Sequence, residues 1–157
     1  MTDGTQMVVL GTGDHRYEDM FRYYQGIHPA KLSANIYFSD DLSHEMYAGC
    51  DAILVPSRFE PCGLTQLMAL RYGSLPIVRE TGGLKDTVIP YNEYESSGTG
   101  FSFANYDANE LLNTINYAKQ VYYEHRDQWD NMVARAMEQN YSWDNSAKIY
   151  EKLYDEI

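Results

Sequence analysis

Short apolar runs alternate with helix-spaced apolar residues along most of the chain. Gln6–Leu10 (QMVVL) is apolar and stops at Gly11-Thr12-Gly13-Asp14, the pattern of a buried parallel strand and a tight turn into a helix. That helix is expected over Tyr17–Tyr24. Ile36-Tyr37-Phe38 reads as a second strand. Asp40 or Asp41 is placed to cap a helix over Leu42–Gly49. Ala52-Ile53-Leu54-Val55 is the clearest strand and halts at Pro56, which has no N–H for a ladder. A helix follows over Thr65–Tyr72, with Gly73 as its C-cap.

Leu75-Pro76-Ile77-Val78 is the next strand, Thr81-Gly82-Gly83-Leu84 a Gly-rich turn, and Gly100-Phe101-Ser102-Phe103 a short strand. Tyr91–Thr99 is polar and reads as a surface loop. From Asp107 onward the spacing is helical, through Leu111, Leu112, Ile115, Ala118 and Tyr122, then Trp129, Met132, Val133, Ala136 and Met137. Ser142 is placed to cap a last helix with Ala147, Tyr150, Leu153, Tyr154 and Ile157 on one side. Strands alternating with helices predict an α/β fold, a Rossmann-like parallel sheet with helices on both faces. The length, 157 residues, suits a single domain.

Charge narrows the partners. With 12 Lys and Arg against 23 Asp and Glu, the formal net charge is -11, which disfavours nucleic acid and anionic membrane. A phosphate ligand then needs local donors. Cys50 and Cys62 form no CxxC pair, which points to a reducing, cytoplasmic setting. The opening residues carry no signal-peptide pattern, and no run reaches a membrane span. His15, His28, His44 and His125 have no metal-ligand spacing, so no metal is expected. Gly11-Thr12-Gly13 lacks the third glycine of a dinucleotide fingerprint, because Arg16 stands there.

The densest chemistry is Pro56-Ser57-Arg58-Phe59-Glu60-Pro61-Cys62-Gly63-Leu64-Thr65-Gln66, between the clearest strand and a helix. Ligands of open α/β sheets bind at the carboxyl ends of strands. The amides of Gly63, Leu64 and Thr65 fall at a helix N-terminus, where free N–H groups and the dipole favour phosphate. Glu60 adds an acceptor suited to hydroxyls, so together they suit a sugar nucleotide. An ordinary strand-to-helix turn with a solvated Glu accounts for the same residues. Thr81-Gly82-Gly83 suits a second phosphate-facing nest, or a plain turn.

Taken together, AILVPSRFEPCGLTQ at 52–66, Tyr72-Gly73-Ser74-Leu75-Pro76 and Thr81-Gly82-Gly83-Leu84-Lys85-Asp86-Thr87-Val88 closely resemble glycogen and starch synthases. Leu10–Asp14, Ser43-His44, Gly49-Cys50-Asp51, Gly100-Phe101 and Ser142-Trp143 extend the likeness over nearly the whole chain. The resemblance implies the C-terminal, donor-binding domain of a GT-B enzyme that transfers glucose from ADP-glucose, with retention, to the non-reducing end of an α-1,4-glucan. It implies that Glu60 orients the donor glucose as the catalytic residue. Amides at Cys62, Gly63 and Leu64 would meet sugar and phosphate, and Thr65 the phosphate–ribose region. Phe38 would lie against adenine, and Thr81, Gly82 and Gly83 would line the same pocket. His44 is a weaker, structural pick. Met68 stands where many GT-B relatives carry a second Glu, so ribose recognition by that Glu is not expected.

No cofactor or metal is implied. The likeness also implies that the domain's first strand and helix, with an Arg and a Lys for the diphosphate, and the whole acceptor domain lie outside this chain. The chain alone is therefore expected to be inactive. The alternatives are a stand-alone nucleotide-binding or regulatory α/β module without catalysis, and a structural domain that keeps the fold without the site.

Overall fold

The computed structural model describes residues 4–156. The chain forms two compact units, Met1–Ala48 and Gly49–Ile157.

In the first unit, β1 (Met7–Leu10) and β2 (Leu32–Asn35) pair in parallel, joined by α1 (His15–Ile27). Asp14 caps α1, its carboxylate accepting from the Arg16 N–H at 2.9 Å. The second strand was expected at Ile36–Phe38 and lies instead four residues earlier. Register decides it: Met7 pairs with Leu32 and Leu10 with Asn35, and the last rung is the Gly11 N–H on the Asn35 carbonyl. Phe38 falls beyond the strand. For α2 (Asp40–Gly49), Ser39 takes the cap in place of Asp40 or Asp41. Its Oγ accepts from the Leu42 N–H at 3.2 Å. Both aspartates lie inside the first turn, where the helix dipole favours negative charge.

In the second unit, β3 (Ala52–Val55), β4 (Leu75–Arg79) and β5 (Phe101–Phe103) form an all-parallel sheet in that order. Five helices accompany it: α3 (Thr65–Tyr72), α4 (Gly82–Thr87), α5 (Ala108–Glu124), α6 (Arg126–Glu138) and α7 (Trp143–Asp155). β4 is central and buried from Leu75 to Val78, as a strand covered on both faces must be. Leu75 and Ile77 join Leu70, Phe101, Ala118, Val121, Trp129 and Met132 in one cluster. Val78 joins Val55, Leu84 and Val88 in another. Successive side chains of one strand thus feed two cores.

Gly73 ends α3 as expected, at φ 81°. Three local expectations change. Thr81–Leu84 is not only a turn, because the helix runs on to Thr87, whose hydroxyl bonds back to the Gly83 carbonyl. The 91–99 loop is only partly superficial. Asn92 and Ser97 exchange backbone hydrogen bonds, Gly98 and Thr99 are buried, and the Tyr91 ring packs on Phe101. Ser142 stands at the start of α7, yet its side chain makes no capping bond. The helical stretch after Asp107 breaks at His125, which ends α5 and begins α6. Tyr150, Leu153 and Tyr154 of α7 are exposed, and Ile157 lies outside the described residues.

Candidate functional site

Because β3 and β4 are parallel neighbours, their carboxyl ends share one edge of the sheet. The chain leaves β3 at Val55, bends through Pro56–Leu64 and enters α3. It leaves β4 at Arg79, passes Glu80 and Thr81 and enters α4. These two connections interlock. The Gly83 N–H donates to the Glu60 carbonyl at 3.2 Å. A Cβ on Gly83 would stand 2.1 Å from the Cys62 carbonyl oxygen, and one on Gly82 would stand 2.1 Å from that of Glu60. Only residues without a Cβ permit this approach. The paired glycines therefore serve a main-chain contact, and the Gly83 amide is spent on it rather than offered outward.

Three side chains complete the fastening. Gln66, fully buried on the first turn of α3, donates from Nε2 to the carbonyls of Cys62 (2.8 Å) and Gly63 (2.9 Å). It also donates to the Thr87 hydroxyl at 3.3 Å, which in turn donates to the Gly83 carbonyl at 2.5 Å. Arg79, at the end of β4, donates to the Arg58 carbonyl at 2.8 Å and sits 5.9 Å from the Tyr106 ring centroid. None of Gln66, Thr87 and Arg79 was singled out from the sequence. Gln66 did leave a signal: it shares the buried stripe of α3 with Ala69 and Leu70, where a polar residue requires partners.

The bend faces solvent. Phe59, Cys62, Leu64 and Thr65 are exposed, while Glu60 and Gly63 are half-buried. Gly63 has φ +76°, a conformation that favours glycine. Leu64 precedes α3 without a side-chain cap, and the first intrahelical bond runs from the Met68 N–H to the Leu64 carbonyl. The amides of Thr65, Gln66 and Leu67 come before that bond, at the positive end of the helix. The structure thus brings Glu60, Cys62, Gly63, Leu64, Thr65, Thr81, Gly82 and Gly83 to one edge of one sheet. Phe38 belongs to the other unit, where it is 84% exposed. Met68 is exposed on α3.

A concavity of about 270 Å³ lies elsewhere in the second unit, among Pro90, Tyr91, Phe101 and Tyr117, and shares no residue with the bend. Burial and the neighbouring Glu93 push the Tyr117 phenol up to about 12. Among the described residues no group of three or more His, Cys, Asp or Glu is placed to hold a metal ion. No described helix is long and apolar enough to cross a membrane.

Residues 1–135 match the family model described as glycosyl transferases group 1. The chain is 61% identical over 155 residues to a glycogen synthase of Lachnospira eligens, covering 99% of this chain and 32% of that one. It is 59% identical over 152 residues to a glycogen synthase of Clostridium kluyveri, covering 97% and 32%. The chain therefore spans about a third of the length of these relatives. Among solved structures, it is similar to the catalytic domain of starch synthase IV from Arabidopsis thaliana bound to ADP and acarbose. That likeness has a TM-score of 0.81 and 34% identity over 98% of this chain and 32% of that one. HepE of Anabaena in complex with UDP-glucose, at TM-score 0.67 and 18% identity over 87% of this chain and 36% of that one, shares the fold. Parallel sheets with flanking helices, matching these neighbours, make the fold GT-B-like.

Proposed function

The chain belongs to the group 1 glycosyl transferases, and from that premise we propose that it is the donor-nucleotide domain of a glycogen synthase, taking the ADP part of ADP-glucose. The enzyme of which it forms part transfers glucose, with retention, to the non-reducing end of an α-1,4-glucan in the cytoplasm. The observation that carries this reading is the exposed Glu60–Thr65 bend, locked to Gly82–Gly83 at the carboxyl edge of a parallel sheet. Relatives named glycogen synthase and a starch synthase solved with ADP agree with it.

In this reading the diphosphate rests on the main-chain hydrogens of Gly63, Leu64 and Thr65 and on the positive end of α3. Cys62 and Thr81 border the same ligand, and Gly82 and Gly83 shape the pocket by close packing. The Glu60 carboxylate accepts from donor-glucose hydroxyls and orients the sugar. Charge building on the departing ADP is met by fixed dipoles, which need no reorganisation as the bond breaks. That chemistry calls for neither metal nor cofactor. Turnover also needs an acceptor surface and further cations for the diphosphate, so the 157-residue chain alone should not make glucan.

Calorimetry with ADP, UDP and GDP tests the reading. Binding of ADP in preference to the other two supports it. The domain is next joined to the remaining two thirds of the Lachnospira eligens relative. A chimera that folds but neither binds ADP nor transfers glucose would leave a nucleotide-free structural module as the better description. Binding without transfer would favour a stand-alone regulatory module.

A further inference from the structure

We propose that Gln66 is a positioning residue, whose side-chain amide sets the direction in which Gly63 and Leu64 present their N–H groups. The functional consequence rests on the donor reading above.

A trans peptide is planar, with its C=O and N–H pointing oppositely. Gln66 Nε2 draws the Cys62 carbonyl inward at 2.8 Å, which turns the N–H of the same peptide unit, that of Gly63, away from the core. It draws the Gly63 carbonyl inward at 2.9 Å, which does the same for the Leu64 N–H. One buried amide thus aims two consecutive main-chain donors toward solvent beside the start of α3. Leu64, 65% exposed, lies on the outer side of that arrangement, and Gln66, 0% exposed, on the inner side.

The orientation of the amide is determined by its surroundings. Three acceptors, Cys62 O, Gly63 O and Thr87 Oγ1, surround the nitrogen. Reversing the amide would set oxygen against two carbonyls. Gln66 Oε1 is left buried without a partner, which costs stability. An apolar residue would fill the same space without that cost, so packing alone does not account for a glutamine here. A Cβ on Gly63 would lie 2.3 Å from Gln66 Oε1, so the amide packs directly against the glycine whose carbonyl it holds.

The test uses Gln66→Met and Gln66→Glu, with Leu70→Ala as a core control of the same helix. Backbone amide NMR and hydrogen exchange on the unliganded chain read the turn, and ADP titration reads its use. In Gln66→Met, the Gly63 and Leu64 signals should shift and their exchange accelerate. ADP affinity should fall about tenfold, the scale of one charge-assisted hydrogen bond. Leu70→Ala should lower stability without selecting these two amides. In Gln66→Glu the ionised carboxylate repels both carbonyls. Burial raises its pKa, and once protonated it can donate to one of them. Its Gly63 and Leu64 signals should therefore return toward wild type as pH falls, which a space-filling role would not produce.

Unchanged Gly63 and Leu64 amides in both variants would overturn the proposal, as would an equal disturbance in Leu70→Ala. If Gln66→Met does not fold, the pH titration of Gln66→Glu decides. A loosened turn in a chimera that binds no ADP even before substitution would sink the donor reading and leave the hold of Gln66 on the turn intact.

Discussion

The Gly83 N–H and the Glu60 carbonyl oxygen, 3.2 Å apart, join the connection after β4 to the connection after β3. A bond between two loops that follow neighbouring parallel strands makes them one rigid body at the edge where α/β sheets bind ligands. The glycine pair is what allows it.

Gly83→Ala should therefore disturb the site and the fold together. Its Cβ would meet backbone, the Cys62 carbonyl at 2.1 Å, which has no rotamer to yield. Chemical denaturation should show a loss of about 1–3 kcal/mol, the usual cost of overpacking. ADP affinity should drop in parallel. A Gly83→Ala protein with unaltered stability and unaltered ADP binding would mean that the two connections are not locked.

Glu60 contributes its main chain to the lock and offers its side chain to the sugar. Glu60→Ala should leave ADP binding by the chain nearly unchanged, since the carbonyl remains. In the chimera described above, glucose transfer should fall by about 10²–10³-fold, the scale of losing one polar stabilising group. Kinetic assay beside calorimetry separates the two effects. A rate loss matched by an equal loss of ADP affinity would assign Glu60 to nucleotide binding instead.

Trp129 sets the stability of the second unit. Its ring stacks on Phe101 at 5.9 Å, meets Tyr122 edge-on at 5.0 Å and is nearly fully buried. Trp129→Ala should cost about 3–5 kcal/mol, read as a lowered denaturation midpoint with loss of the tryptophan fluorescence change on unfolding.

Tyr117 should give the second unit an alkaline limit. Burial, then the Glu93 charge, lifts its phenol from 10.0 to about 12 in the folded protein. The folded state therefore holds this proton where the unfolded chain has released it. Stability from this source is complete below pH 10 and is lost as pH rises from about 10 to 12. Burial also raises Tyr91 and Tyr141, which act in the same direction. Ultraviolet titration of tyrosinate should show a late phase whose amplitude shrinks by one tyrosine in Tyr117→Phe. The variant should also lose stability less steeply in that window.

Much of this was legible before the structure. Ala52–Val55, Thr65–Tyr72 and the Gly73 cap fall where apolar runs and a helix-ending glycine place them, because local propensity and burial agree there. The second strand was misplaced because Ile36-Tyr37-Phe38 has stronger strand propensity than Leu32-Ser33-Ala34-Asn35. Pairing with Met7–Leu10, a long-range constraint, outweighed that preference. Ser39 escaped notice beside two aspartates, since only the position of the first helical residue decides which side chain reaches the Leu42 amide. At the site, residue types marked the bend. The partners of its carbonyls were hidden: Arg79 and the Gly83 amide reach the bend from a connection that meets it only in three dimensions, and Gln66, though only three and four residues away, turns inward because its helix face is buried.

The groups that hold the bend are an amide hydrogen, a carboxamide, an aliphatic hydroxyl and a guanidinium. The first three are neutral groups that neither gain nor lose a proton across the mildly acidic to mildly alkaline range. The cradle should keep one geometry throughout that range. Any change with acidity in how tightly a nucleotide is gripped would then arise where charged groups meet, on the guest's phosphates and the side chains beside them, and not from a change in the cradle's shape.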